Sequence, residues 1–214
     1  MKRAFIIPTV FCLSLAFLLC GCAEQPMEID RYDPVPAAVH ERVVDKDSHN
    51  YIEYDDGEFA VSAVLAGSDN ILVTSLRIEN RTGKDLLPSE YSIQLTDGRD
   101  HKPLKRIDRE VVIEYRHKIA AGQEIKSGNP MLDLGLNELG GMLRSLDRSQ
   151  AAQFLRSLDW VVANYFAFRP VYAKSVREGT LCYYVDFILE YPLALRLKLR
   201  DKKLDFVFWP RPAR

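Results

Sequence analysis

The chain has 214 residues, 47% of them hydrophobic, and carries 29 Lys and Arg against 30 Asp and Glu. That length suits one domain with an extension, and the hydrophobic content is enough for a sizeable core. The balanced charge excludes a general nucleic-acid binder, which needs a basic surface.

Lys2 and Arg3 open the chain, and an apolar run from Ala4 to Leu19 follows, broken only by Pro8, Thr9 and Ser14. The run falls short of the ~20 apolar residues that a spanning helix needs, and Pro8 disfavours a helix. A basic start, a short apolar core and small residues before a cut site describe a secretory signal. Leu19-Cys20-Gly21-Cys22 ends it. Leu, a small residue and Gly ahead of a cysteine resemble the lipobox of bacterial lipoproteins. The resemblance implies a signal peptide over 1–21, and a diacylglyceryl thioether and an acylated amine on Cys22. It also implies a lipid-anchored place in the cell envelope. Ala23 stands where an Asp would retain a Gram-negative lipoprotein at the inner membrane. In such a cell the expected site is the outer membrane, facing the periplasm.

Removing residues 1–21 takes away Lys2 and Arg3 and no acid, which leaves 193 residues with a formal charge of −3. It also takes away Cys12 and Cys20. With Cys22 lipidated, Cys182 is the one thiol left, so the mature chain has no intrachain disulfide. A lone Cys in a strand reads as a small packing residue. The competing reading is a nucleophile with His101 or His117 as its base.

Residues 22–49 hold Pro26, Pro34 and Pro36 among charges and show no apolar period. They are expected to be an extended tether, and His40 and His49 in it have no second metal ligand at a useful spacing. The domain is expected over 50–210. Phe59, Val61, Ala63 and Leu65 alternate, as do Leu72, Thr74, Leu76 and Ile78 after the turn Gly67-Ser68-Asp69-Asn70. Tyr91, Ile93 and Leu95 mark another strand, closed by Asp97-Gly98. Val111, Ile113, Tyr115 and Ile119 read as a further strand, with Glu114, Arg116 and Lys118 facing away.

The period changes at about 130–163. Leu136, Leu139, Leu143 and Leu146 recur at helical spacing. After Asp147 or Ser149 as N-cap, Leu155, Leu158, Val162 and Tyr165 fall on one helical face, beside Phe154 and Val161. One or two helices are expected here, covering the sheet or offering a groove to an envelope partner. Strands resume near Phe166. Leu181, Tyr183, Val185, Phe187 and Leu189 alternate, and Pro192 marks an edge or a bend. Leu193, Leu195, Leu197 and Leu199 then face Leu204, Phe206 and Phe208 in a hairpin. Opposed residues share a face, so the pairing sums must be odd. A turn over Arg200–Lys203 would set Leu199 against Leu204 and Leu197 against Phe206.

Short alternating strands separated by turns predict a mainly β, antiparallel sandwich with a one- or two-helix insertion packed against it. Leu76-Arg77-Ile78-Glu79-Asn80, then Tyr91-Ser92-Ile93-Gln94-Leu95-Thr96-Asp97-Gly98, and Glu178-Gly179-Thr180-Leu181 entering an aromatic strand are similar to bacterial surface proteins with an immunoglobulin-like, telokin-like sandwich. Such sandwiches serve many roles, so the resemblance implies no activity.

No nucleophile elbow, Ser-x-x-Lys, zinc-protease helix or phosphate loop occurs. No catalytic residue, metal site or cofactor is therefore assigned. Asp97, Asp100 and His101, with Asp55-Asp56, read as turn chemistry ahead of a calcium loop. The outer face of the last hairpin carries Arg196, Lys198 and Arg200, with Trp209 beyond. It reads either as a solvated face or as a contact with anionic headgroups with Trp209 at the interface. The function read from the sequence is a membrane-anchored envelope protein with a non-catalytic binding or structural role. The alternative is an envelope enzyme whose site assembles from distant residues such as Cys182 and a His.

Overall fold

The computed structural model describes residues 30–46, 49–68, 71–121, 148–185 and 191–211. Among them run β1 (Asp30–Val35), β2 (Glu41–Lys46), β3 (His49–Asp55), β4 (Phe59–Ser68), β5 (Ile71–Asn80), β6 (Tyr91–Asp97) and β7 (Lys105–Ile107). Then come α1 (Arg109–Ala120), α2 (Arg148–Ala163), β8 (Ser175–Tyr184), β9 (Leu193–Leu199) and β10 (Lys202–Pro210). The fold is a mainly β, antiparallel sandwich with helices packed on one side.

One sheet runs β2-β3-β4-β5-β8-β7 and the other β6-β9-β10-β1. β1 joins them. Its first residues, Asp30 and Arg31, pair with Gly67 and Ala66 of β4, and Tyr32 to Val35 pair with Pro210 to Val207 of β10. Alternation decides which side chains face inward. Leu72, Leu76 and Ile78 of β5, Leu181 and Tyr183 of β8, and Leu195, Phe206 and Phe208 of β9 and β10 are all buried in one core. A second apolar cluster lies on the opposite face of the first sheet. There Val112 and Tyr115 of α1 and Val161 of α2 cover Cys182, with Ile71, Val73 and Tyr184 beside it. β8 is therefore buried on both faces at Leu181, Cys182 and Tyr183.

Three expectations are corrected. The sheet begins at Asp30, inside the stretch 22–49 expected to be a tether and ahead of a domain expected to start at 50. Tyr32 and Pro34 of β1 turn inward, and Pro34 is tolerated because that part of β1 is a sheet edge and needs no donor there. β2 and the start of β3 also lie within that stretch, with His40 edge-on to Tyr54 at 6.0 Å.

The strand expected at Val111–Ile119 is the helix α1. Val111, Val112, Tyr115 and Ile119 make one helical face, and it packs on the second cluster. Odd-numbered alternation over so few residues fits both periods. Adjacent Val111 and Val112 and the Glu114–Lys118 ion pair, one helical turn apart, are the signals for a helix. α2 ends where the insertion over 130–163 was expected to end. Its buried Val161 and half-buried Leu158 and Val162 pack in the second cluster, and Leu155 is half-buried. The leucines from Leu136 to Leu146, Asp147, and Phe187 and Leu189 lie outside the described residues.

The C-terminal hairpin keeps the expected faces but shifts by two residues. Leu199 pairs with Lys202, Leu197 with Leu204 and Leu195 with Phe206. The turn is Arg200-Asp201 alone. Arg200 takes a φ of 57°, which closes the hairpin in two residues where four were expected. Its amide donates to the Glu90 carbonyl at 2.7 Å, and its guanidinium donates to the carbonyls of Lys84 and Asp85. These bonds hold the strained turn.

Candidate functional site

The helices cover only part of the outer face of the first sheet. Over Ile71, Val73 and Cys182 the face is apolar and lies under α1 and α2. Farther along the same strands it turns polar, and the helices stop. Strand register sets the floor that remains. Ser75 of β5 sits opposite Thr180 of β8, and Arg77, next on that face of β5, has Ser62 of β4 on one side and Glu178 of β8 on the other. Small hydroxyl side chains on neighbouring strands leave a depression.

It is walled on three sides. The last turns of α2 bring Trp160 and lead to Asn164, and the β2–β3 hairpin brings Lys46 and Tyr51. Arg77 and Glu178 close the remaining side. The result is an open cleft of about 250 Å³.

Hydrogen bonds brace the α2 wall. The Asn164 amide side chain donates to the Trp160 carbonyl at 2.8 Å, and the Asn164 carbonyl accepts from the Thr180 amide at 2.7 Å. Gly179 permits this approach, because a Cβ there would lie 2.6 Å from the Cα of Phe166. Arg77 is committed, donating to Glu178 at 3.0 Å and to Glu79 at 2.9 Å. Lys46 is exposed, and Trp160 is 54% exposed. Ser62, Ser75, Tyr51 and Lys46 have side-chain polar groups without a protein partner among the described residues. The lining holds neither a Cys nor a His, and its Ser, Tyr, Asn and Trp side chains offer hydrogen bonds and stacking.

The residues singled out in the sequence lie elsewhere. Cys22 is outside the described residues. Cys182 is 3% exposed beneath the helices, and burial pushes its thiol up to about 12, which keeps it protonated within the packing. His117 is exposed on α1 and is not among the residues packed around Cys182. His101 sits in the loop after β6, where its Nδ1 lies 3.4 Å from the Arg196 guanidinium. The nucleophile and base of the enzyme reading are not brought together.

The aspartates make turns. Asp97 accepts from the Arg99 amide, Asp100 from the Lys102 amide and Asp55 from the Gly57 amide. Asp56 accepts from the amides of Glu58 and Phe59 and from the Tyr54 hydroxyl, and it pairs with Lys202. Among the described residues no three His, Cys, Asp or Glu side chains are grouped to hold a metal ion.

The basic stripe is also divided. Arg196 and Lys198 share the outer face of the second sheet, where Arg196 stands opposite Asp205 at 3.6 Å and Lys198 opposite Lys203. Arg200 is spent in the turn. Trp209 is half-exposed at the far end of β10, opposite Asp33.

The sequence reading missed the cleft altogether. Its floor residues are the outward halves of strands, and nothing in a strand pattern says which outward halves a helix leaves uncovered. No protein-family model, no curated protein and no solved structure matches the chain.

Proposed function

We propose that the chain is a lipid-anchored protein of the bacterial cell envelope whose sandwich serves a non-catalytic binding role. The observation that carries this reading is Leu19-Cys20-Gly21-Cys22 at the end of a short apolar run behind Lys2 and Arg3. Ala23 in place of Asp favours an outer membrane, facing the periplasm, if the cell is Gram-negative.

The place where the sandwich begins supports the anchor. Seven residues separate Cys22 from Asp30, the first residue of β1. Seven extended residues reach at most about 25 Å, so the end of the sandwich that holds Asp30 would stay close to the lipid surface. Trp209 and Tyr191 lie half-exposed at that end, with the Arg99 guanidinium 4.8 Å from the Tyr191 ring centroid. Aromatic side chains with a cation beside them suit a headgroup layer. The position of Trp209 at this end supports its reading as a headgroup contact. No helix among the described residues is long and apolar enough to cross a membrane.

The test is Cys22→Ala, with fatty-acid labelling and cell fractionation. The expected result is loss of label, together with retained precursor or a chain released to the soluble fraction. A variant that still takes up label and fractionates like the parent overturns the anchor. The binding role rests on the cleft and is tested separately below.

A further inference from the structure

We infer that the cleft between Trp160 and Tyr51 is a binding site for a neutral oligosaccharide, with the Trp160 indole as its stacking platform. The inference deepens the binding role proposed above and does not depend on the lipid anchor.

The chemistry of the cleft selects the ligand class. A pyranose ring has an apolar C–H face and a rim of hydroxyls, each both donor and acceptor. The apolar face needs a flat, exposed aromatic, and Trp160 is 54% exposed at the rim. The hydroxyl rim needs short polar groups that donate and accept, and Ser62 and Ser75 supply them from the floor. Tyr51 adds an aromatic body and a phenol on the opposite wall, as amphipathic side chains do at binding surfaces.

Other ligands fit less well. An anion would need unpaired cations, but Arg77 is already held by Glu79 and Glu178, which leaves Lys46 and places a carboxylate in the wall. A peptide added as a strand would need a free sheet edge. The floor is instead the face of β4, β5 and β8, which pair with one another there through Ser62, Arg77 and Glu178. An acyl chain would leave the hydroxyls of Ser62 and Ser75 without partners.

The experiment uses the purified full-length chain in a detergent without a sugar headgroup. The chain has two tryptophans, so Trp209→Phe leaves Trp160 as the sole indole and its emission reports on the cleft. The probes are chitotriose, cellotetraose and maltotetraose, with an acidic hexapeptide and inorganic phosphate as contrasts. The expected result is a saturable change in Trp160 emission with at least one sugar and with neither contrast. Ser75→Phe, which fills the floor, should weaken that response by about tenfold or more. Trp160→Ala, followed by calorimetry, should do the same at a half-exposed position that the fold tolerates.

No saturable response to any of the three sugars overturns the inference. So does a sugar response that survives both Ser75→Phe and Trp160→Ala. A response to the peptide or to phosphate alone also overturns the glycan, while it keeps the binding role. Loss of anchoring in the Cys22→Ala experiment leaves these titrations unchanged, so the two readings fail separately.

Discussion

Gly179 shows how much can rest on a missing atom. It lies on β8, where the chain from Asn164 to Phe166 runs against the strand and bridges Tyr165 to Thr180. A Cβ would meet Phe166 at 2.6 Å from its Cα and 2.8 Å from its amide nitrogen. Both are backbone atoms, which cannot rotate away. Gly179→Ala should therefore destabilise the chain by about 2 kcal/mol through forced backbone movement, and it should move Asn164 away from the cleft. Urea unfolding measures the first effect. A stability equal to that of the parent would mean the contact between the two segments is loose. A Gly in a strand pattern signals close backbone approach, so this position was legible in the sequence as unusual. Its partner, Phe166, was not.

At the scale of elements, α1 and α2 lie against the outer face of the first sheet and against each other. The Arg116 guanidinium donates to Asp159 at 2.7 Å, and that of Arg109 donates to the Val162 carbonyl. The apolar layer beneath them encloses a cavity of about 40 Å³ lined by Val73, Val111, Leu158, Val161 and Cys182. Val161 is 7% exposed. Val161→Asp would bury an unpaired carboxylate and should cost at least about 3 kcal/mol. Val161→Ile adds one methylene where space exists, and should leave stability unchanged or raise it by about 0.5 kcal/mol. Thermal unfolding of the pair is decisive. If both substitutions leave the melting temperature unchanged, the helices do not cover this face in solution. The amphipathic series from Leu155 to Val162 was readable in the sequence. That α1 is a helix was not, because its sequence alternates well enough to read as a strand until it has a face to pack on.

For the whole molecule, the two sheets are tied at one end by Lys202 of β10. It pairs with Asp56 and Glu58 of the β3–β4 hairpin. Burial alone would raise the Asp56 carboxyl. The Lys202 ammonium, the amides of Phe59 and Glu58 and the Tyr54 hydroxyl outweigh it and hold the carboxyl well below its usual range. The carboxylates of Asp56 and Glu58 in turn raise the Lys202 ammonium above its ordinary value. A carboxyl depressed in the folded state contributes stability above its unfolded pKa of about 3.9, and that contribution drains away as pH falls below it. Asp56→Asn should lower stability by about 2–3 kcal/mol at neutral pH. It should also flatten the acid limb of the stability profile below about pH 4. Denaturant unfolding from neutral pH down through that limb reads both effects. An Asn variant with the parent's acid slope would assign the acid sensitivity to other carboxylates.

What the sequence determined by itself is local. Strand side chains alternate with a period of two, so Phe59 to Leu65, Leu72 to Ile78 and Leu193 to Leu199 declared their buried faces before any partner was known. The odd pairing sums of the last hairpin follow from the same rule, because a slip by one residue would turn Asp205 into the core. Tertiary structure decided what depends on distant chain. The φ of Arg200 chose between two registers that bury the same leucines, and the bonds holding it come from Lys84, Asp85 and Glu90. Docking onto Val73 and Cys182 made Val111–Ile119 a helix. The cleft needs Ser62, Ser75, Thr180, Trp160 and Tyr51 on five separate elements. No window of sequence contains them, since their proximity arises only when the strands pair and α2 ends where the floor turns polar.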